Sequence, residues 1–326
     1  MKIALKIVLW LVGIAVIVIA GLLSYVKFML PNAPEPPDIK VEITDERVER
    51  GRYLANTVMA CASCHSPRDW AKFSAPPVED SLYAGGHPFD REKGFPGNYY
   101  PSNLTPAGIG DWTDGELFRA LTHGVTKEGK AMFATMPYDN YGKLSREDLY
   151  AVIAYLRTLE PIEKDWPDSE SDFPMNFIIN LMPKEPELQE IPPKSDKIAY
   201  GKYVATAASC NHCHTPLDGG RPVKEMEYAG GMEFEMPTGG TARSANITPD
   251  KKTGIGNWSE EMFVQRFKNY KDSIYKQQKV QHGHFNSEMP WTAYADMTDE
   301  DLRAIYAYLM SLEPKEHQVV TFTPEK

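Results

Sequence analysis

The four cysteines of this sequence lie in two motifs of identical spacing, Cys61-Ala62-Ser63-Cys64-His65 and Cys210-Asn211-His212-Cys213-His214. Two cysteines three positions apart, followed at once by a histidine, form the pattern that attaches a c-type haem covalently. The thiols bond the porphyrin, and the adjoining imidazole reaches the iron. We therefore predict covalent haem attachment and proximal ligation by six residues: Cys61, Cys64, His65, Cys210, Cys213 and His214. The alternative is a zinc or redox site. Zinc would need further thiolates or histidines nearby, and the histidine that directly follows both motifs favours haem.

Each iron also needs a ligand on its second face. Met136 and Met289 are the two methionines that occupy equivalent positions directly before a proline. A thioether in the sixth position raises the reduction potential of the iron and closes it to other ligands. Proline suits such a loop because its φ angle is fixed. We predict Met136 and Met289 as the distal ligands. The competing candidates are Met132, Met297, His123, His282 and His284.

The two motifs belong to two copies of one sequence unit. The segment Tyr-Ala-Gly-Gly at 83–86 returns at 228–231, and Asn-Leu-Thr-Pro at 103–106 returns as Asn-Ile-Thr-Pro at 246–249. Met-Pro-Tyr at 136–138 returns as Met-Pro-Trp at 289–291. The order of these segments is the same in both copies, which indicates an internal duplication.

Capping residues and apolar periodicity predict helices in each copy. Thr113 with Glu116 three positions later is the pattern of a capping box. Ser145 and Thr298 each precede a stripe of apolar residues at helical spacing. Since no alternation of strand type competes with these stripes, the predicted fold is mostly α.

The N-terminal segment predicts a membrane anchor. Residues 7–26 form an uncharged run of 20 residues, about the length that a helix needs to cross a bilayer. Lys2 and Lys6 precede the run, which keeps the N-terminus on the cytoplasmic side. We expect a single-pass helix in the inner membrane, with both haem domains in the periplasm. The alternative is a cleaved signal peptide, whose apolar region would be shorter.

The charge of the chain excludes one class of partner. With 326 residues and a net charge of −10, it has no basic surface suited to nucleic acid. A local basic stretch nevertheless precedes Met289. Its members are Lys268, Lys271, Lys276, Lys279, His282 and His284. We hypothesise that it steers an acidic redox partner onto the second haem; the alternative is a solvated helix extension.

Taken together, these motifs resemble the cytochrome c subunit of membrane-bound alcohol, gluconate and aldehyde dehydrogenases. The resemblance covers residues 48–161 and 195–316. It implies one haem in each domain, held by the cysteine motif and by the methionine of the Met-Pro segment. Members of that family pass electrons from a periplasmic dehydrogenase to membrane quinone. They usually have three haem domains, whereas this chain has two and an N-terminal anchor.

The predicted organisation is a transmembrane anchor, a spacer, two tandem cytochrome c domains joined by a linker, and a tail. In order, these are residues 1–30 (anchor), 31–47 (Pro-rich spacer), 48–161 (first domain), 162–194 (acidic Pro-rich linker), 195–316 (second domain) and 317–326 (tail).

The predicted function is a relay of single electrons by two haem c groups, from a dehydrogenase or quinol-linked donor to a respiratory acceptor. Its partner would be a redox protein: a dehydrogenase, a quinol-oxidising complex or an oxidase. This favours an electron carrier or electron-transfer subunit over an independent enzyme. The alternative is a dihaem peroxidase with one open iron, which the two Met-Pro segments disfavour.

Overall fold

The computed structural model describes residues 2–271 and 278–325. The first helix, α1 (Lys2–Phe28), buries none of its residues. Within the described residues it is the one helix that is long and apolar enough to cross a membrane. A signal sequence would meet the same criteria of length and composition.

Helices dominate the rest of the described chain, which confirms the mostly α prediction. The first copy contains α2 (Asp45–Tyr53), α3 (Pro106–Ile109), α4 (Asp114–His123), α5 (Tyr138–Tyr141) and α6 (Arg146–Leu156). The helix α7 (Met175–Ile178) follows, and the second copy contains α8 (Lys197–Ala207), α9 (Cys210–Cys213), α10 (Glu260–Lys268), α11 (Trp291–Tyr294) and α12 (Asp299–Met310). A π-helical segment, Leu54–Val58, continues α2 towards the first cysteine motif. The short 3₁₀ turns are Cys61–Ser63, Glu79–Ser81, Arg91–Lys93, Ile179–Leu181 and Lys224–Met226.

The strands are short and antiparallel. They are β1 (Gly97–Asn98), β2 (Glu170–Ser171), β3 (Leu217–Asp218), β4 (Arg221–Pro222), β5 (Glu233–Glu235), β6 (Thr241–Arg243) and β7 (Phe322–Thr323). Strand β1 pairs with β2 and β3 with β4, while β5, β6 and β7 form one sheet in that order.

The predicted helix starts are confirmed. The Thr113 hydroxyl accepts from the Glu116 amide at 3.1 Å, and the Glu116 carboxylate accepts from the Thr113 amide at 2.7 Å. The Ser145 hydroxyl accepts from the Asp148 amide at the start of α6, and Thr298 does the same for Asp301 in α12. These side chains satisfy amides that a helix leaves without partners in its first turn.

In each copy the first and last helices cross in close contact at a glycine. A Cβ atom on Gly51 of α2 would lie 1.8 Å from the carbonyl oxygen of Ala151 in α6. A Cβ atom on Gly201 of α8 would lie 1.9 Å from the carbonyl oxygen of Ala304 in α12. A side chain at either position would therefore force the two helices apart. The sequence Gly-x-Tyr, which occurs at 51–53 and again at 201–203, thus marks the same helix crossing in both domains.

The two domains exchange tyrosines, in the sense that each domain places a tyrosine hydroxyl at the start of the other domain's last helix. The Tyr203 hydroxyl of α8 donates to the Asp148 carboxylate at 2.6 Å and accepts from the Ser145 amide at 3.2 Å. Conversely, the Tyr53 hydroxyl of α2 donates to the Asp301 carboxylate and accepts from the Thr298 amide at 3.1 Å. Each first helix therefore binds the N-terminus of the other domain's last helix. Most of the buried apolar residues of both domains form one continuous core, and Phe73, Tyr270 and Ala295 form a second, small cluster.

The segments that follow each copy pack in the same way. The Asn103 amide group donates to the Ile162 carbonyl at 2.8 Å, and the Asn246 amide group donates to the Lys315 carbonyl at 2.7 Å. Each segment then adds a strand to its own domain, β2 in the first and β7 in the second. The start of the predicted linker and most of the predicted tail thus lie against the domains that precede them.

The middle of the predicted linker contacts the end of α1. The Asn180 amide group donates to the Val26 carbonyl at 3.0 Å. The Lys27 ammonium lies 5.7 Å from the centre of the Phe177 ring. These contacts join the N-terminal helix to the chain between the two domains.

Candidate haem-binding sites

In each copy the motif residues form one tight helical turn. The His65 amide donates to the Cys61 carbonyl at 2.9 Å, and the His214 amide donates to the Cys210 carbonyl at 3.0 Å. The residue before each motif, Ala60 or Ser209, has a positive φ of 48° or 52°, which turns the chain sharply out of the preceding helix. None of the four cysteines forms a disulfide in the described chain. Two thiols and one imidazole therefore come from a single turn in both domains.

A backbone carbonyl orients each motif histidine. Nδ1 of His65 lies 2.8 Å from the Ser102 oxygen, and Nδ1 of His214 lies 2.7 Å from the Ala245 oxygen. Because a carbonyl can only accept, Nδ1 carries the proton and Nε2 keeps its lone pair for a metal. Burial lowers the pKa of both imidazoles, although the carbonyl contact opposes this effect. The neutral, metal-binding form is therefore favoured.

The repeated Tyr-Ala-Gly-Gly segments bind the backbone of the two cysteine motifs. The Gly85 amide donates to the His65 carbonyl at 3.0 Å, and the Gly230 amide donates to the His214 carbonyl at 2.7 Å. Sequence reasoning recognised these segments as repeats without giving them this role. It also missed the carbonyls of Ser102 and Ala245. The available signal was their position, since both directly precede the recurring Asn-x-Thr-Pro segment.

The two predicted distal methionines lie in loops of the same shape. Met136 and Met289 are half-buried. The Tyr138 amide donates to the Met136 carbonyl, and the Trp291 amide donates to the Met289 carbonyl, both at 2.8 Å. The intervening prolines have φ angles of −81° and −79°, and a short helix, α5 or α11, follows each. The local backbone around the two methionines is therefore the same.

The two competing methionines have different surroundings. Met297 is 1% exposed and packs in the shared core, so its side chain acts as core filling. Met132 lies beside the first loop, and its amide donates to the Gly124 carbonyl at 2.8 Å.

The competing histidines contact other groups. His123 is buried, with Nδ1 2.9 Å from the Thr122 hydroxyl and Nε2 3.4 Å from a Glu185 carboxylate oxygen. Nε2 of the exposed His282 lies 3.2 Å from a Glu325 carboxylate oxygen. His284 is exposed. Both ring nitrogens of His123 therefore have polar neighbours other than a metal.

The donor set disfavours zinc. Within the ranges that the structure covers, no group of three or more His, Cys, Asp or Glu side chains could hold a metal ion. Each motif offers two thiols and one imidazole, fewer than the four ligands of a structural zinc site. Two thiols beside an oriented neutral imidazole fit a covalently attached haem instead.

The basic stretch before Met289 is partly neutralised. The Lys268 ammonium lies 3.3 Å from an Asp299 carboxylate oxygen, and the Lys271 ammonium lies 3.4 Å from Asp296. Lys279 is exposed, while Lys276 lies outside the described residues. The two lysines at the start of the stretch therefore already face carboxylates.

Comparison with known proteins identifies the family. The family model described as Cytochrome c matches residues 48–160 and 198–313. The chain belongs to the cytochrome c family. The resemblance that the motifs predicted is thereby confirmed, and so is the expectation of two cytochrome c regions after an apolar N-terminal helix. Membership also supports haem c as the cofactor of this cytochrome c.

Curated relatives of this cytochrome c include subunits of larger enzymes. It is 30% identical over 292 residues to the cytochrome c subunit of alcohol dehydrogenase (quinone) from Gluconacetobacter polyoxogenes, covering 82% of this chain and 56% of that protein. It is 28% identical over 309 residues to the gluconate 2-dehydrogenase cytochrome c subunit from Pantoea cypripedii, covering 87% and 64%. This cytochrome c therefore spans less than two thirds of either relative.

A third relative matches along almost its whole length. This cytochrome c is 27% identical over 310 residues to a diheme cytochrome c-type protein from Cereibacter sphaeroides. The match covers 91% of this chain and 95% of that protein. The two chains therefore align over nearly their whole lengths.

Proposed function

We propose that this cytochrome c carries two haem c groups and relays single electrons between redox partners. The observation that carries the proposal is the pair of oriented imidazoles, each with Nδ1 bound to a carbonyl and Nε2 left for iron. The first haem would be held by Cys61, Cys64, His65 and Met136. The second would be held by Cys210, Cys213, His214 and Met289. When bound, each haem supplies a one-electron couple of its iron.

The chain's own residues set the conditions for that couple. The carbonyls of Ser102 and Ala245 fix the rings and increase the basicity of the nitrogens that face the iron. The thioethers of Met136 and Met289 would raise the reduction potentials and keep small ligands away. Closed coordination on both faces suits electron transfer and disfavours peroxide chemistry, which needs an open position.

We further propose that α1 anchors the protein in the inner membrane, with both haem domains on the periplasmic side. A dehydrogenase is the proposed electron donor, because two relatives are named as cytochrome subunits of alcohol and gluconate dehydrogenases. A component of the respiratory chain is the proposed acceptor. Affinity capture from solubilised membranes, followed by identification of the co-purifying proteins, tests both partners.

The attachment sites are tested by removing one cysteine pair at a time. Replacing Cys210 and Cys213 together by alanine should lower the covalent haem per chain to about half, because one attachment motif remains. Replacing Cys61 and Cys64 is the matched variant and should give the same value. Covalent haem is measured after denaturation, by haem stain and by mass. Two covalent haems in either variant would refute the assignment.

The ligand set is tested by the spin state of the iron. Both ferric haems should be low-spin, since each would be held by a histidine and a methionine, which are strong ligands. Optical and electron paramagnetic resonance spectra of the full chain measure this. A high-spin haem that reacts with peroxide would instead support the dihaem peroxidase.

A further inference from the structure

A serine of the first domain holds the distal loop of the second. The Ser74 hydroxyl donates to the Met289 carbonyl at 2.6 Å and accepts from the Trp291 amide at 3.0 Å. One hydroxyl therefore binds the backbone on both sides of Pro290. Ser74 is 2% exposed, so water does not compete for these two groups.

The loop that carries Ser74, residues 68–75, is fixed to the second domain at several points. The buried Asn286 side chain accepts from the Ser74 amide at 2.9 Å and donates to the Trp70 and Lys72 carbonyls, both at 3.2 Å. Backbone hydrogen bonds join Phe73 to Gln278 and Val280 to Ala71. The loop thus forms an extended contact across the two domains.

An ion pair closes the loop beside the distal methionine. Arg68 pairs with Glu288, the residue directly before Met289. The Arg68 side chain is 12% exposed, and its Nε donates to the Ala75 carbonyl at 2.9 Å. The loop therefore begins three residues after His65, the proposed proximal ligand of the first haem. Its side chains contact the chain at Met289, the proposed distal ligand of the second haem.

The second domain contacts the Met136 loop in a different way. The Asn140 side-chain amide, four residues after Met136, donates to the Asn211 side-chain oxygen at 2.9 Å. The segment that follows His214 forms the hairpin β3–β4, whose four residues are all exposed. The covered parts of the chain show no hydrogen bond from this hairpin to the Met136 loop. The backbone of Ser74 is also unusual, because its φ of 63° is one that a non-glycine residue adopts only when its surroundings hold it there.

We propose that Ser74 is a positioning residue for Met289, so that the first domain controls the axial ligation of the second haem. The inference rests on the proposed ligand set. Without the hydroxyl, the Met289 carbonyl and the Trp291 amide keep only their 2.8 Å contact with each other. The loop then loses its two hydrogen bonds to Ser74 and gains an alternative in which the thioether leaves the iron. The reduction potential of the second haem then falls, because thioether ligation is what raises it.

Two substitutions separate positioning from folding. Ser74→Ala removes the hydroxyl and keeps the strained backbone, whereas Ser74→Gly removes the hydroxyl and relieves the strain. We expect both variants to bind imidazole about tenfold more tightly at one of the two ferric haems, since the closed loop loses both of its hydrogen bonds to the Ser74 hydroxyl. A merely structural role predicts that Ser74→Gly behaves as the parent. Ser311→Ala, which removes a hydroxyl at the end of α12, is the control and should match the parent.

Axial substitutions assign the affected haem. In a Met136→His background the imidazole effect of Ser74→Ala should persist, and in a Met289→His background it should vanish. A potentiometric titration should show one lowered potential and one unchanged. Parent-like imidazole binding and potentials in both Ser74 variants would overturn the inference. An unchanged spectrum for Met289→His would instead show that the proposed ligand set is wrong.

Discussion

The exchanged tyrosines predict unequal costs for two matched substitutions. Tyr53→Phe and Tyr203→Phe each remove one hydroxyl that donates to a buried aspartate and accepts from a helix-capping amide. After the substitution, the two aspartates keep different hydrogen-bond partners. Asp148 keeps a bidentate contact with Arg50, with both nitrogen–oxygen distances at 2.8 Å. Asp301 keeps the Tyr200 hydroxyl at 2.7 Å.

The magnitude follows from that difference. Within residues 2–271 and 278–325, Asp301 has no cationic side chain at ion-pair distance. A hydrogen bond to a charged group contributes about 1.5–3 kcal/mol, and a neutral one about 1 kcal/mol. We expect Tyr203→Phe to lower the free energy of unfolding by about 1 kcal/mol, because Arg50 still satisfies Asp148. We expect Tyr53→Phe to lower it by about 2–3 kcal/mol, because a buried carboxylate loses one of its two tyrosine partners.

Thermal and urea unfolding of the full haem-loaded chain, followed by haem absorbance, measures both variants. About 2 kcal/mol corresponds to a shift in Tm of roughly 3 °C for a chain of 326 residues, because the unfolding entropy is about 2.1 cal/mol/K per residue. A double-mutant cycle with Asp301→Asn isolates the coupling to Tyr53. Equal losses in the two tyrosine variants, or a larger loss for Tyr203→Phe, would refute the reasoning.

Three further predictions address the helix crossing, a buried histidine and the anchor. Gly201→Ala should lower the free energy of unfolding by at least about 1–3 kcal/mol, because the added methyl overlaps the Ala304 carbonyl; a denaturation midpoint equal to that of the parent would contradict it. Burial lowers the pKa of His123 against the opposing charge of Glu185, so the unfolded chain takes up the proton first and stability falls as the pH drops below about 6.5. His123→Gln should therefore lose less stability than the parent between about pH 7 and about pH 5, as urea midpoints would show. Finally, the membrane-bound protein should retain residues 1–30, and N-terminal sequencing that begins near residue 28–32 would show that α1 is cleaved.

Local patterns predicted much of the fold. Helix starts at Thr113, Ser145 and Thr298 were predictable because each cap and the amide it binds lie three residues apart in the chain. The cysteine motifs were equally local. The internal duplication then indicated that Met136 and Met289 occupy the same position in the two copies. It does not indicate which residues fix the two loops in place.

The rest of the site depends on contacts that leave no local pattern. The carbonyls that orient His65 and His214 belong to backbone, which every residue possesses, so no side chain marks them. Ser74 contacts Met289 across 215 positions, and a lone serine in a loop carries no sign of such a partner. The acidic, Pro-rich composition after residue 161 predicted a linker, yet backbone pairing of β2 with β1 draws its start onto the first domain.

The tyrosine exchange gives this single chain the symmetry of a dimer. Tyr53 binds the helix start at Thr298 and Asp301, while Tyr203 binds the one at Ser145 and Asp148, so the same patch is used twice in opposite directions. That is the form of an isologous interface, in which one surface is complementary to itself. A single unit bearing both the tyrosine and the capped helix could pair with a second copy through these contacts. Joining two such units in one chain removes the concentration dependence of that pairing and frees each copy to diverge, as Arg50 and its counterpart Tyr200 have done.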